Sequence, residues 1–452
     1  MAQEVHASDS RQEAVVRPPC DAPEISPREM RRIGIASFTG SVIEFYDFSI
    51  YGTAAALVFP HIFFPALGTA AGTLASFATF GVAFIARPVG SIVFGHFGDR
   101  LGRKKTLVAT LLIMGLSTVL IGALPTAEQI GIVAPLLLVL LRFLQGLAAG
   151  GEYAGGALLA SENAPKARRG FWAMLPLLAG GIAYMTAPAT FLTTSFGMSS
   201  EDFLSYGWRI PFLASALILL VGMYIRLRMD ETPVFKKEAA RSESASLPLL
   251  EAFKHQRREI MFASGAVVGS FAILYIGSTY LTSYGTAVLN LSRTSVIAVG
   301  VTAGAALTLG VYLGAVWSDR GGRRRVLLCA SAAGAAWSLV LFPLLNLGST
   351  AAFCIGVAVS ALISGVGFGP VGALMSELFH TRYRYTATAL SYSIAGVIGG
   401  AVPPLIAAAI AEAYGSFAVG VALAGFCVIS FLSCLALKET RDYELDRSET
   451  DA

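Results

Sequence analysis

Glu44, Asp47 and Tyr51 stand at i, i+3 and i+7 within an apolar run, a spacing that puts all three on one face of a helix. Two carboxyls that close in a low dielectric resist ionising together, which suits them to binding and releasing a proton. Three more charges, Arg87, Arg142 and Glu152, fall inside other apolar runs of the first half of the chain. Each ion near a bilayer centre costs roughly 2.5–3.5 kcal/mol, so five cost about 15 kcal/mol unless they are paired, hydrated or used. Asp47 is the first expected proton carrier, followed by Glu44 and then Glu152. Arg142 keeps its charge at any working pH and is expected to be a fixed counter-ion, either to a neighbouring acid or to an anionic substrate carboxylate. Arg87, Tyr51, Gln145, Ser391 and Tyr392 are expected to complete the charge and substrate site. A second reading stays open: the acids and the two arginines form ion pairs that only fix helix packing.

These residues need long helices to hold them. With 55% hydrophobic and 14% charged residues and a mean hydropathy of +0.66, the chain is far too apolar for a soluble protein of its length. Runs of about 20 apolar residues, the length that crosses a bilayer as helix, occur near 33–59, 71–95, 105–124, 132–160, 171–194 and 208–228. A second set lies near 259–287, 294–317, 326–346, 351–378, 386–412 and 416–437. The expected fold is therefore an all-α membrane protein of about twelve transmembrane helices in two six-helix halves. Residues 1–32 read as a disordered tail, 33–228 as the first half, 229–257 as a polar central loop, 258–437 as the second half and 438–452 as a closing tail. Within the loop, Leu247–Phe253 followed by Lys254, Arg257 and Arg258 has the pattern of a short amphipathic helix at the membrane surface.

Of 33 Lys and Arg, 29 fall in the tails and alternate connections. Positive residues stay on the cytoplasmic side, so both termini are expected there. The same bias accounts for the net charge of +4 without nucleic acid. Cys20, Cys329, Cys354, Cys427 and Cys434 have no CxxC spacing and no clustered histidines, so neither a metal site nor a disulfide framework is expected. His96, in a loop motif, reads as structural.

The two halves echo each other. Asp99-Arg100-Leu101-Gly102-Arg103-Lys104-Lys105 recurs as Asp319-Arg320-Gly321-Gly322-Arg323-Arg324-Arg325, and Ser161-Glu162 with Arg169 recurs as Ser376-Glu377 with Arg384. Two echoes at nearly one offset indicate an internal repeat of roughly 200 residues. In the fourth run, Gly146/Gly150 and Gly151/Gly155 form small-xxx-small surfaces for close helix packing. The second half has only neutral polar groups at its helix centres, among them Ser278, Thr279, Tyr280, Asn290, Tyr312, Ser391, Tyr392 and Ser393. The first half is thus expected to handle protons and charge, and the second to close over the substrate.

Gly40–Gly52, Arg87-Pro88 leading into Gly95–Arg103, the run from Arg142 to Gly156, Gly207–Phe212 and Glu231–Phe235 resemble the metabolite:proton symporter family of the major facilitator superfamily. Gly369-Pro370, Ser376–Phe379, Arg382–Tyr385 and Gly399-Gly400 extend the resemblance over about residues 33 to 440. It implies a multi-pass carrier of the bacterial inner membrane, monomeric and without cofactor, that imports a small organic acid with a proton by alternating access. A zwitterionic osmolyte of the proline or betaine type is the alternative cargo. The superfamily's loop motif carries over to Gly95, Asp99, Arg100, Gly102, Arg103 and Lys104, with Asp319, Arg320, Glu162 and Glu377 as further members of a latch between the halves. Phe45, Ser41, Ser393 and Ala315 depart from the family pattern, so no particular substrate is transferred. A drug/proton antiporter would carry a different helix-5 glycine pattern, and an uncoupled facilitator would not need Glu44, Asp47 and Glu152. An enzyme would need a nucleophile–base pair, a metal cluster or a phosphate loop, and a receptor or scaffold on a carrier fold is the non-transport alternative.

Overall fold

The computed structural model describes residues 27–101, 103–228, 248–380, 384–443 and 445. Among them, the regular elements are all helices. Twelve long segments follow in order: α1 Pro27–Leu57, α2 Gly68–Leu101, α3 Arg103–Ala123, α4 Val133–Glu162 and α5 Lys166–Ser195, and α6 Arg209–Arg228. Then come α7 Ala252–Ala287, α8 Arg293–Gly321, α9 Arg323–Leu345, α10 Thr350–Leu378 and α11 Arg384–Tyr414, and α12 Ser416–Ala436. Eleven are long and apolar enough to cross a membrane. The twelfth is α1, whose apolar character is diluted by Glu44 and Asp47. An even number of crossings brings the start of α1 and the end of α12 to the same face of the bundle, called here the terminal end. Outward faces of α3 and α6 leave Leu112, Leu116, Leu217 and Leu220 exposed, as helices bathed in lipid require.

One boundary differs from the sequence reading: α1 is already helical at Pro27, before 33, and Met30 is buried. The short helix expected near 247–253 runs from Pro248 and is set off from the rest of α7 by non-helical backbone at Gln256 (φ −125°, ψ 27°). Its side chains before Ala252, and all of 229–247, lie outside the described residues.

Five segments are broken near the middle or toward one end, α5 at Met174. α4 is interrupted at Gly151-Glu152 and α10 at Gly369-Pro370. α7 and α11 each contain one wide π turn, Ile276–Tyr280 and Gly396–Ala401. Such turns free backbone groups and redirect side chains, and membrane helices tolerate them only inside a protein bundle.

Glycine lets α2 and α4 meet backbone to backbone: a Cβ on Gly146 would stand 2.2 Å from the Ala83 carbonyl oxygen, and one on Gly150 2.1 Å from that of Arg87. The equivalent pair in the second half, α8 and α10, does the same at Gly310 and Gly314. Gly151 presses on Phe94, but a Cβ on Gly155 would touch only Tyr385, at 3.8 Å, so the second glycine pair is close-packed at one member alone. Gly150→Ala should therefore lower stability by about 1–3 kcal/mol through overpacking, whereas Gly155→Ala should stay within ~0.5 kcal/mol. Thermal unfolding of the purified protein in detergent measures the contrast.

Candidate functional site

α1 to α4 bring the first-half charges together, all of them buried. Arg87 of α2 donates through Nη2 to Glu44 Oε1 at 3.0 Å, and its guanidinium lies 4.2 Å from the Phe48 ring centre. One turn further along α1, Asp47 is bonded differently. Its Oδ2 accepts from the Thr118 hydroxyl of α3 at 2.6 Å, Thr118 Oγ1 accepts from Gln145 Nε2 at 2.6 Å, and Gln145 Oε1 accepts from Arg142 Nη1 at 2.9 Å. Asp47 and Arg142 are thus joined through two neutral side chains and not by a direct ion pair.

Arg142 is fully buried, yet its Nε and Nη2 have no protein acceptor. What surrounds it is aromatic: the guanidinium lies 4.0 Å from the centre of Tyr51, 4.3 Å from Phe48 and 5.1 Å from Phe80. Ring faces attract a desolvated cation by about 2 kcal/mol, but they leave its donors unused. The Tyr51 hydroxyl points elsewhere, donating to Thr79 Oγ1 at 2.6 Å. Phe48 and Phe80 also line a cavity of about 40 Å³ between the halves, together with Ser49 and Thr53 of α1, Ser278 and Thr279 at the π turn of α7 and Thr282 just beyond it. The two rings stand between that cavity and Arg142.

Other expected members are placed as follows. Glu152 is buried at the break in α4. Tyr392 stacks across the halves on Tyr153, ring centres 3.6 Å apart and planes at 14°. Ser391 does not face the centre; it donates to the Ile260 carbonyl of α7 at 3.5 Å and serves packing within the second half. Of the neutral groups expected at helix centres, Asn290 sits in the α7–α8 connection with φ 52°, and Tyr312 faces outward.

At the terminal end the two sequence echoes exchange partners. Glu162 of α4 accepts from Arg384 of α11 at 3.0 Å, and Glu377 of α10 accepts from Arg169 of α5 at 3.2 Å. Each acid therefore pairs with the other half's arginine. Asp319 accepts from the backbone N–H of Gly170 and of Phe171, at 2.8 and 2.9 Å, so the second-half loop motif caps a helix start in the first half. The Tyr385 hydroxyl adds a bond to the Gly151 carbonyl at 2.7 Å.

Arg323 and the segment after α12 join this cluster of contacts. Arg320 is exposed, and the buried arginine of its motif is Arg323, which holds Asp319 at 2.7 Å and Glu377 at 3.1 Å. The segment after α12 is part of the assembly: Thr440 donates to Glu377 at 2.8 Å, and Glu439 accepts from the Arg323 backbone N–H at 2.7 Å. Gly102 lies outside the described residues, as do the side chains of His96, Asp99, Arg100, Arg103 and Lys104 and the surroundings of Gly95. Thr118 and Thr440 escaped the sequence reading, and Arg323 entered it only as part of a repeated motif. A lone hydroxyl in an apolar helix is common, and only the fold shows which one meets a carboxylate.

The chain matches two family models, "Sugar (and other) transporter" over residues 33–260 and "Major Facilitator Superfamily" over residues 289–451. It is 41% identical to the inner membrane metabolite transport protein YhjE of Escherichia coli, covering 93% of this chain and 97% of that one. It is 36% identical to the shikimate transporter of E. coli, covering 93% and 97%, and 30% identical to a putative proline/betaine transporter of Staphylococcus aureus, covering 90% and 89%. In fold it matches the E. coli xylose transporter XylE in a partially occluded inward-open conformation, with a TM-score of 0.69 at 15% identity over 92% of this chain and 99% of the other.

Glu377 is the acid on which the terminal end converges, and removing one partner of a buried ion pair costs about 3–5 kcal/mol. Since about 1.4 kcal/mol shifts a population tenfold, Glu377→Gln should open this end. In a cysteine-free background of the purified protein, maleimide labelling of Ser161→Cys, buried in the parent, should rise at least tenfold (~1.4 kcal/mol) when Glu377→Gln is added.

Proposed function

The chain belongs to the metabolite transporters of the major facilitator superfamily, and we propose that it imports a small organic acid together with a proton by alternating access. The observation that carries this reading is Arg142: a permanently charged, fully buried guanidinium with two unused donors, beside an inter-half cavity. A carboxylate fits those donors in the planar geometry that guanidinium groups grip best. Phe48 and Phe80 turn aside to admit it from the cavity. Asp47 carries the proton, since it is linked to Arg142 but not neutralised by it. Glu44, locked to Arg87, is the structural acid of the pair.

The basic terminal end faces the cytoplasm by the positive-inside rule. The ion pairs there hold that side shut, while the cavity is lined by the opposite halves of α1, α5, α7, α8 and α10, which face outward. The latch then opens inward in the second half of the cycle. Proton-coupled uptake of a zwitterionic osmolyte is the second reading, favoured by the proline/betaine relatives.

Uptake of radiolabelled shikimate, 2-oxoglutarate and betaine into proteoliposomes tests both readings. With one proton carried per monoanion, an inward gradient of one pH unit supports up to about tenfold accumulation (~1.4 kcal/mol). Asp47→Asn should abolish accumulation but leave exchange between preloaded vesicles largely intact, because exchange never requires the empty, deprotonated carrier to return. Arg142→Lys should damage both, a point charge replacing the planar fork. Concentrative uptake that survives an uncoupler overturns proton symport.

A further inference from the structure

Between Arg142 and Asp47 runs a chain in which every donor points toward the acid. Arg142 Nη1 donates to Gln145 Oε1, Gln145 Nε2 donates to Thr118 Oγ1, and the Thr118 hydroxyl donates to Asp47 Oδ2. Thr118 has a second acceptor within reach, the Met114 carbonyl at 3.0 Å, but a hydroxyl has one hydrogen and can serve one acceptor at a time. Both of its acceptors, both of its neighbours in the chain and Thr118 itself are buried, with Thr118, Gln145 and Arg142 at 0% exposure.

We infer that Thr118 is a positioning residue that reads the protonation state of Asp47 and passes it to Arg142. The inference rests on Asp47 as the proton carrier, as proposed above. While Asp47 is ionised, the Thr118 hydrogen lies on its carboxylate and the aligned bonds reinforce one another, ending the chain on an anion. When a proton binds Oδ2, the new O–H donates to Thr118 Oγ1. The Thr118 hydrogen then turns to the Met114 carbonyl, and its oxygen accepts from both Asp47 and Gln145. The Thr118 hydroxyl, Gln145 Nε2 and Asp47 Oδ2 each keep a partner in both states, so the switch itself strands none of them. The difference falls on Arg142, which in the second state no longer faces a negative charge through the chain and takes the anionic end of the cargo instead. Proton binding thereby precedes and favours anion binding, and the two are coupled reciprocally.

Charged groups that act on Asp47 from neighbouring elements are Arg142 and Glu152 of α4 and Glu44 of its own helix, the last held by Arg87 of α2. Thr118→Val removes the hydroxyl and keeps the shape, while Thr118→Ser keeps the hydroxyl.

Infrared difference spectroscopy of the purified full-length protein follows the protonated carboxyl band over a pH titration, the Asp47 band being the one lost in Asp47→Asn. In Thr118→Val the band should shift in frequency, and its titration midpoint should move to higher pH by about one unit, about tenfold in proton affinity, since the lost bond favoured the ionised form. Thr118→Ser should titrate like the parent. Gln145→Leu, which cuts the chain on the Arg142 side while leaving Thr118 in place, should move the midpoint in the same direction. An unchanged band and midpoint in Thr118→Val, or an unchanged midpoint in Gln145→Leu, overturns the relay. A parent protein with no titrating band that Asp47→Asn removes overturns Asp47 as the proton carrier, and the relay with it.

Discussion

A charge inside a bilayer must find a partner within the protein, and that constraint organises this molecule from its centre to its terminal end. The first half meets it in two ways on adjacent helix turns. Glu44 and Arg87 form a direct pair, which in a low dielectric is held tightly and resists separation. Asp47 and Arg142 are kept apart by Thr118 and Gln145, so their attraction is transmitted through dipoles and is weaker than contact would make it. One pair is in direct contact, and the other is held apart by a hydroxyl and an amide.

At the terminal end the same constraint joins the halves. Glu162 and Glu377 each take the arginine of the opposite half, and Asp319 takes two backbone N–H groups across the interface. Because these bonds lie where helix ends approach water, their breakage exposes charges to solvent and not to lipid, at a smaller cost than at the centre. Arg323, Glu439 and Thr440 gather around Glu377 and tie the segment after α12 into the closure.

Close backbone contact supplies the stiffness that such charge arrangements need. Where glycines bring α2 against α4 and α8 against α10, backbone meets backbone with no room for a side chain between. Interruptions in α4, α5, α7, α10 and α11 break the regular hydrogen-bond ladder in other places. The π turn of α7 also sets Ser278 and Thr279 against the cavity, which a regular helix would aim differently.

Much of this was legible in the chain itself. Apolar runs of membrane-crossing length set the all-helical class and the count of crossings, because only helix satisfies the backbone in lipid over such lengths. The echo of Glu162 and Arg169 by Glu377 and Arg384 marked residues that pair across the halves, and the ions in α1, α2 and α4 marked the centre, since ions are expensive there wherever they fold. Partner choice was decided by tertiary structure. Sequence periodicity places a residue on a helix face but carries no information on how two helices rotate against each other. Hence the swap of arginines between halves, the pairing of Glu44 with Arg87, the turning of Ser391 toward Ile260 and the exposure of Arg320 in favour of Arg323 emerge only from packing. Thr118 is the clearest case: a hydroxyl in an apolar helix normally bonds its own backbone, and it is the approach of α1 and α4 that gives this one an acid on one side and an amide on the other.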